Sequence, residues 1–494
     1  MKYKQLLTKI VLTIIFLQGV SLLSFAQRDS LTIEMALDLA EENNPTLKTQ
    51  KLNLERSRYT LEAQRAGLKA RIALDLNPVA AKIKRSFDER TTNWYQNESF
   101  STGADFSITQ TILPTDATLR LSNKFNWQYN HTEENSKISE NRAFVNDLSL
   151  SLIQPLFTYN SQKMELRNLE IQYENQGISY ALQRLNTEVN ITDQFYKVYT
   201  AQEDLKIAKE ELESSQANYN IIKLKAEAEL SKKSELSQSE VNLATAKSKV
   251  ENGTTTLENE KDKLKQALGI PLSEDIAVKA EINVNTILVD FNQALNSAMS
   301  SRMELRQREL EWEQAENLLV TVKANKAFSG RLALSLGVSA NDEAFENLMD
   351  KPALSPNISL TFSVPIFDWG ERKARIKAQE KSMEVTKLRA EDQIITMESQ
   401  IRSLVRQINN SGNQIAIEKT KLDNAQITFE LNQVLYHAGD INGMQFSQFQ
   451  SQLSTSKMSY SERLIKYKIE LLNLKIATLY DYENNRPVIP VKTL

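Results

Sequence analysis

Two stretches of the chain carry the same pattern in the same order, and any fold must accommodate both. Ser151-Leu-Ile-Gln-Pro-Leu-Phe157 resembles Thr361-Phe-Ser-Val-Pro-Ile-Phe367, and the two prolines, Pro155 and Pro365, stand 210 residues apart. The offset continues without a gap, pairing Tyr219 with Phe429, Ser237-Gln238 with Ser447-Gln448, Leu243 with Leu453 and Lys247 with Lys457. An earlier block, Arg71-Ile-Ala-Leu-Asp-Leu76, matches Arg331-Leu-Ala-Leu-Ser-Leu336 at an offset of 260. The first half therefore holds 50 extra residues, roughly across 78–130. Repetition on this scale marks a duplicated structural unit. The expected boundaries are a first repeat over 27–280, a second over 281–480 and a tail over 481–494.

Helical periodicity fills most of each copy. Ala40, Leu47, Leu54, Leu61 and Leu68 recur every seven residues, with Ala298, Leu305, Trp312 and Leu319 as counterparts. A seven-residue spacing keeps one seam against a neighbouring helix, which is coiled-coil packing. Val198, Leu205, Leu212 and Tyr219 form a second column, flanked by the small residues Ala201, Ala208 and Ser215. Its counterpart is Ile408, Ile415, Leu422 and Phe429, with Ser411 and Ala425. Returning columns run through Leu236, Leu243, Val250, Leu257 and Leu264, and through Phe446, Leu453, Tyr460, Tyr467 and Leu474. One helix over 160–228 would be about 100 Å long, more than a compact domain needs.

Between the early helix and the long ones lie strand patterns. Leu148, Leu150 and Leu152 alternate with Ser149 and Ser151, and Ile358, Leu360, Phe362 and Val364 alternate with Ser359, Thr361 and Ser363. Leu332, Leu334, Leu336 and Val338 alternate in the same way. One face of such strands is oily and the other carries hydroxyls. That fits an ordinary half-buried sheet, or a membrane strand with lipid on one side and a wet lumen on the other. Phe125, Trp127 and Tyr129 precede the polar stretch Asn130–Arg142, expected to be a loop, and fit an interfacial aromatic belt. The insertion contains an expected hairpin, Phe100–Leu113 and Ala117–Tyr129, around Pro114-Thr115-Asp116.

The first residues read as a cleaved signal. Lys2, Lys4 and Lys9 precede a mostly apolar run from Ile10 to Leu23, and Ser24-Phe25-Ala26 offers the small residues read at a cleavage site. No later segment is as long and apolar, so any later crossing of a membrane must use strands. Cysteine is absent, which excludes disulfides and thiolate metal sites. The two histidines, His131 and His437, are too few for a histidine metal cluster in one chain. With 60 Lys and Arg against 63 Asp and Glu, the net charge of −3 does not suit a nucleic-acid partner. No phosphate-cradling glycine loop occurs. Acidic pairs at helical spacing read as solvated surface or ion pairs, and His437 as a plain contact residue, so no enzyme, catalytic residue or cofactor is expected.

The order of a signal segment, a helix, strands, Gln154-Pro155-Leu156-Phe157 closing a strand, and long helices with a Tyr436-x-x-Gly439 turn, run twice, resembles the TolC family of outer-membrane efflux proteins. The resemblance covers almost everything after residue 30. It implies a mixed α and β fold: a trimeric channel whose membrane β-barrel is continued by a long periplasmic α-helical coiled-coil barrel. It implies a passive exit duct of a tripartite efflux or type I secretion system in the outer membrane of a Gram-negative type envelope. The implied partners are two further copies, outer-membrane lipid, a periplasmic adaptor (membrane fusion) protein and an inner-membrane transporter. The implied docking residues are Glu229, Leu230, Ser231, Gly439, Asp440 and Ile441, at the turns 227–234 and 437–443. Glu235, Tyr436, Gln445 and Gln448 are the implied channel entrance. The chain departs from the family at Glu229, where glycine is usual, and at Gln445, Gln448 and Ile441, where charged residues occur. Tyr436 and both glutamines also fit plain packing or exposed helix surface. A periplasmic coiled-coil adaptor or structural protein is the alternative that heptads alone permit.

Overall fold

The computed structural model describes residues 30–88, 93–134, 137–280, 282 and 284–488. The expected signal segment over 1–26 and the end of the tail lie outside them. The elements run α1 (Ile33–Asn43), α2 (Pro45–Gly67), β1 (Arg71–Asp88), β2 (Asn93–Ile112), β3 (Ala117–Glu134), β4 (Lys137–Leu156), α3 (Ser161–Glu227) and α4 (Lys233–Leu268). There follow α5 (Phe291–Ser301), α6 (Met303–Ala324), β5 (Ser329–Asp342), β6 (Ala353–Ser363), α7 (Glu371–Ala438), α8 (Gly443–Thr478) and the short pair β7 (Tyr480–Asp481) and β8 (Arg486–Pro487). Among the described residues no helix is long and apolar enough to cross a membrane.

The chain divides into two compact units, and each repeat contributes to both. The first unit takes residues 53–177 and 306–392 and contains the sheet. β1 to β6 form one antiparallel meander in chain order, with β1 and β6 at its open edges. The inserted residues are β-structure inside this sheet: β2 and β3 pair from Tyr95↔Glu134 down to Ile112↔Ala117. The sheet thus holds three hairpins, with four strands from the first half and two from the second. The polar stretch Asn130–Arg142 is likewise not a loop, because its flanks belong to β3 and β4.

Four helices accompany the sheet in the row α2, α3, α6, α7. Arg65 bonds Glu170 between the first two (2.9 Å), and Arg306 bonds Glu174 between the next two (2.7 Å). Arg167 grips Glu313 with two parallel bonds of 2.5 and 2.8 Å, and this holds the Glu313 carboxyl below its ordinary range. Paired geometry of this kind is the strong form of ion pair. Gln379 bonds the Ala315 carbonyl between α6 and α7. The turn at 113–116 is tied to the start of α3, where Asp116 accepts bonds from the Ser161 N–H (3.0 Å) and hydroxyl (2.8 Å) and caps the helix. Hence the 113–116 turn marks the helix-proximal margin of the sheet, and the strand ends at Asp88, Asn93, Glu134 and Lys137 mark the distal one.

The second unit takes the described residues up to 52, 178–305 and 393–488. Two buried clusters form it, one per repeat. Ala36, Ala40, Ile191, Phe195, Val198, Leu205, Leu257 and Leu264 belong to the first. Ala294, Ala298, Ile401, Val405, Ile408, Ile415, Tyr467 and Leu474 belong to the second. Six of these eight pairs are related by the offset of 210 read from the sequence, so the duplication is written into the packing.

The helix opening each half is broken, contrary to the continuous seven-residue column. Asn44 leaves the helical region at ψ 121, which the following Pro45 enforces. Its side chain then caps the next helix, accepting from the Leu47 N–H at 2.9 Å. Arg302 breaks the second copy at the equivalent place, also at ψ 121, without a proline. The break therefore belongs to the fold, with proline reinforcing it in one copy.

Candidate functional sites: two helical turns and a two-faced sheet

The two turns between long helices share one backbone solution. After α3, Glu229 is left-handed at φ 58, and after α7, Gly439 is left-handed at φ 87. In each turn the next N–H reaches back across the last turn of helix: Leu230 N–H to the Lys225 carbonyl at 2.7 Å, Asp440 N–H to Leu435 at 2.9 Å. The left-handed residue itself bonds Ala226 or Tyr436. This is the Schellman closure, in which glycine has no side chain to strain.

Chemically, however, the turns differ. The second is completed by a capping box, with Asn442 accepting from the Gln445 N–H (3.0 Å) and the Gln445 side chain accepting from the Asn442 N–H (3.1 Å). The first has Lys232 at the equivalent place with no side-chain bond. It also forces a glutamate into the left-handed region, at a cost of about 1 kcal/mol. Glu229→Gly is therefore expected to tighten the first turn. The amides of 228–230 should exchange with solvent about fivefold more slowly, as 1 kcal/mol implies. Unchanged or faster exchange would show that the glutamate is not strained.

The residues expected at the entrance are distributed as follows. Tyr436 stacks face to face on Phe446, with centroids 4.7 Å apart, and its hydroxyl donates to the Asn218 side chain on α3. Burial raises its pKa. Gly443 lies against the same Asn218, so that a Cβ there would approach the amide to 3.2 Å. Tyr436 thus joins α3, α7 and α8, a packing role, and Asn218 is the partner the sequence did not reveal. Glu235 and Gln448 are exposed. Gln445 is exposed and engaged in the capping box. Leu230 is 79% exposed at the first turn, and Ile427, Leu431 and Val434 form an exposed apolar stripe at i, i+4 and i+7. The side chain of His437 lies outside the described residues.

The sheet is two-faced across all six strands. Register places Ile72, Ile108, Leu121, Leu150, Leu336 and Pro356 in one transverse row, and Leu74, Phe106, Asn123, Leu148, Val338 and Leu354 in the next. Leu119, Leu152, Leu334 and Ile358 form another. These side chains are largely uncovered: Ile72 is 67% exposed and Ile358 78%. The opposite face carries hydroxyls and charges. There Ser122 bonds Ser149 (2.8 Å), and Asp75, Asp105, Lys124 and Asp147 share a row that Ser339 closes by donating to Asp147.

Aromatic clusters bound the apolar face at both margins. Distally, Phe125, Phe144 and Phe345 meet with centroids 5.7 to 6.2 Å apart, beside the Phe100–Trp127 pair. At the helix-proximal margin, Phe157, Phe328 and Phe362 form a second cluster. Phe144 and Leu156 are twelve residues apart on β4. At ~3.3 Å per residue and ~45° of tilt, that is ~28 Å of height, the scale of the ~25 Å apolar band of an outer-membrane barrel.

Comparison with known proteins agrees with this geometry. The family described as "Outer membrane efflux protein" matches residues 117–270 and 294–478, one segment in each half. No curated protein matches the chain. Among solved structures, the Campylobacter jejuni CmeC outer membrane channel is similar over 94% of this chain and 91% of its own, at 15% identity and a TM-score of 0.68. The Vibrio cholerae outer membrane protein VceC covers 92% and 97% at 10% identity and TM-score 0.64. The Neisseria gonorrhoeae MtrE outer membrane channel covers 90% and 88% at 14% and 0.63.

Proposed function

The chain belongs to the outer membrane efflux protein family, and from that premise we propose that it is the exit duct of an export assembly, closed as a trimer and joined through its helical turns to a periplasmic adaptor and an inner-membrane transporter. Efflux across the outer membrane follows from the family; the trimer, the partners and the roles of the turn residues are the reading offered here. The observation that carries it is the apolar band of the sheet, bounded by two aromatic clusters and opposed by a polar face. Open strand edges cannot face lipid, because each unpaired backbone group costs several kcal/mol there, at about the level of a lost hydrogen bond or more. A chain with two open edges must therefore close with copies of itself. The periplasmic coiled-coil alternative offers no use for such a band.

In this reading residues 1–26 are removed, 27–280 and 281–480 are the repeats, and 481–494 is a tail. Glu229, Leu230, Ser231, Gly439, Asp440 and Ile441 form the docking surface, with the Ile427–Leu431–Val434 stripe beside it. Glu235, Tyr436, Gln445 and Gln448 form the entrance; Glu235, Gln445 and Gln448 are exposed there, and Tyr436 is packed against Phe446 and Asn218. The test is fractionation of membranes by density followed by amine crosslinking. The protein is expected in the outer fraction, linked as trimers; a soluble periplasmic monomer would end the proposal.

A further inference from the structure

Resting on the trimeric reading, we propose that β6 of each protomer pairs with β1 of the next, so that three chains close a barrel of eighteen strands. The second half supplies one hairpin, β5–β6, and a plain duplication would supply one more, giving four strands per chain. The first half supplies four strands by itself. The additional hairpin is not appended to the outside of the sheet. β2 is laddered to β1 on one side and to β3 on the other, and β3 is laddered to β4. The family match begins at Ala117, the first residue of β3, so β1 and β2 lie outside the matched segment.

The two edges fit each other in direction and in face. Six is an even number, so in a meander β6 meets the neighbouring β1 antiparallel, like every other pair in the sheet. The apolar face reaches both edges, through Ile72, Leu74 and Leu76 on β1 and through Ile358, Leu360 and Phe362 on β6. Side chains alternate with period two, so the lipid side continues across the seam without a flip. Each edge strand holds one proline, Pro78 or Pro356, which discourages indiscriminate pairing and leaves the remaining donors for one designated neighbour.

Strand number sets the bore. Eighteen strands at ~4.8 Å, tilted ~40°, give a circumference of ~113 Å and a backbone diameter of ~36 Å, against ~24 Å for twelve. Twelve helices, four from each chain, side by side at ~9 Å give ~108 Å, so barrel and helical ring match in girth. With side chains pointing inward, the wider bore admits a solute about 25 Å across, enough for two packed helices of 10–12 Å each.

The sequence has no cysteine, so every bridge formed joins introduced residues. Ser359→Cys on the polar face of β6 is combined in turn with Arg71→Cys, Ala73→Cys, Asp75→Cys and Asn77→Cys on the polar face of β1. A second series combines it with Arg120→Cys, Ser122→Cys and Lys124→Cys on β3. Within one chain these strands are too far apart for a disulfide, whose Cα atoms lie about 4.4–6.8 Å apart. Covalent trimers are expected with at least one β1 partner and with no β3 partner. Bridges to β3, bridges by Ser359→Cys alone, or none in trimers that amine crosslinking shows to be intact, would overturn the eighteen-stranded barrel and leave the export reading standing. Absence of any trimer would remove both.

Discussion

Replacing Gly439 by tryptophan is expected to abolish export while the trimer still assembles and inserts. Gly439 is left-handed at φ 87, and a Cβ built on it meets nothing within 4 Å. The chain itself thus has room for a large side chain there. The backbone penalty, about 1–2 kcal/mol for an L-residue in this region, stays within the turn. The indole would occupy space that a docking hairpin needs. Gly439→Ala carries the same backbone penalty without the bulk and is expected to keep most export. Export is compared in cells lacking the native copy, with trimer levels matched. Normal export by the tryptophan variant would refute docking at this turn, and equal loss in both variants would assign the defect to the backbone.

Leu150→Arg is expected to reduce assembled protein in the outer membrane at least tenfold, whereas Ser149→Arg should assemble normally. Leu150 sits mid-band between Leu121 and Leu336, and Ser149 points to the other side, bonded to Ser122. Arginine facing lipid at mid-membrane costs about 2–4 kcal/mol in each chain, and three chains suffer it together. On the polar face it is hydrated, and a ring of positive charge should shift the current through the purified channel toward anions. Outer-membrane yield and ion selectivity in planar bilayers read the two effects. Loss of assembly in the serine variant with tolerance in the leucine variant would mean that the faces are reversed.

What the sequence made legible was what repeats locally. Heptads announced the buried columns, since Val198, Ile408, Leu264 and Leu474 are all fully enclosed. Period-two alternation found the strands wherever serine and leucine traded places. It failed beyond Phe144 because 130–133 and 139–142 are polar at every position and so offer no alternation, and Asn130–Arg142 read as a loop. The interruption at Arg302 was invisible because no proline signals it. At the turns, the offset of 210 named Glu229 as the counterpart of Gly439, but only the backbone showed that both take the same conformation. The Asn442–Gln445 capping box was within reach of pattern reading, since an asparagine three residues before a glutamine at a helix start is its signature. The bond from Tyr436 to Asn218 was not, because nothing local joins residues so distant in the chain.

The strands do not all stop at the same level. Pairing between β4 and β5 ends at Phe144↔Asp342, while β3 and β4 continue together to Glu134↔Lys137. Seven further residues amount to ~23 Å along the strand. In a ring of three such sheets, the outer margin is crenellated, with three raised walls alternating with three notches above the β5–β6 hairpins. Material leaving the duct then has sideways outlets as well as an axial one, and a particle resting on the raised walls does not seal the mouth.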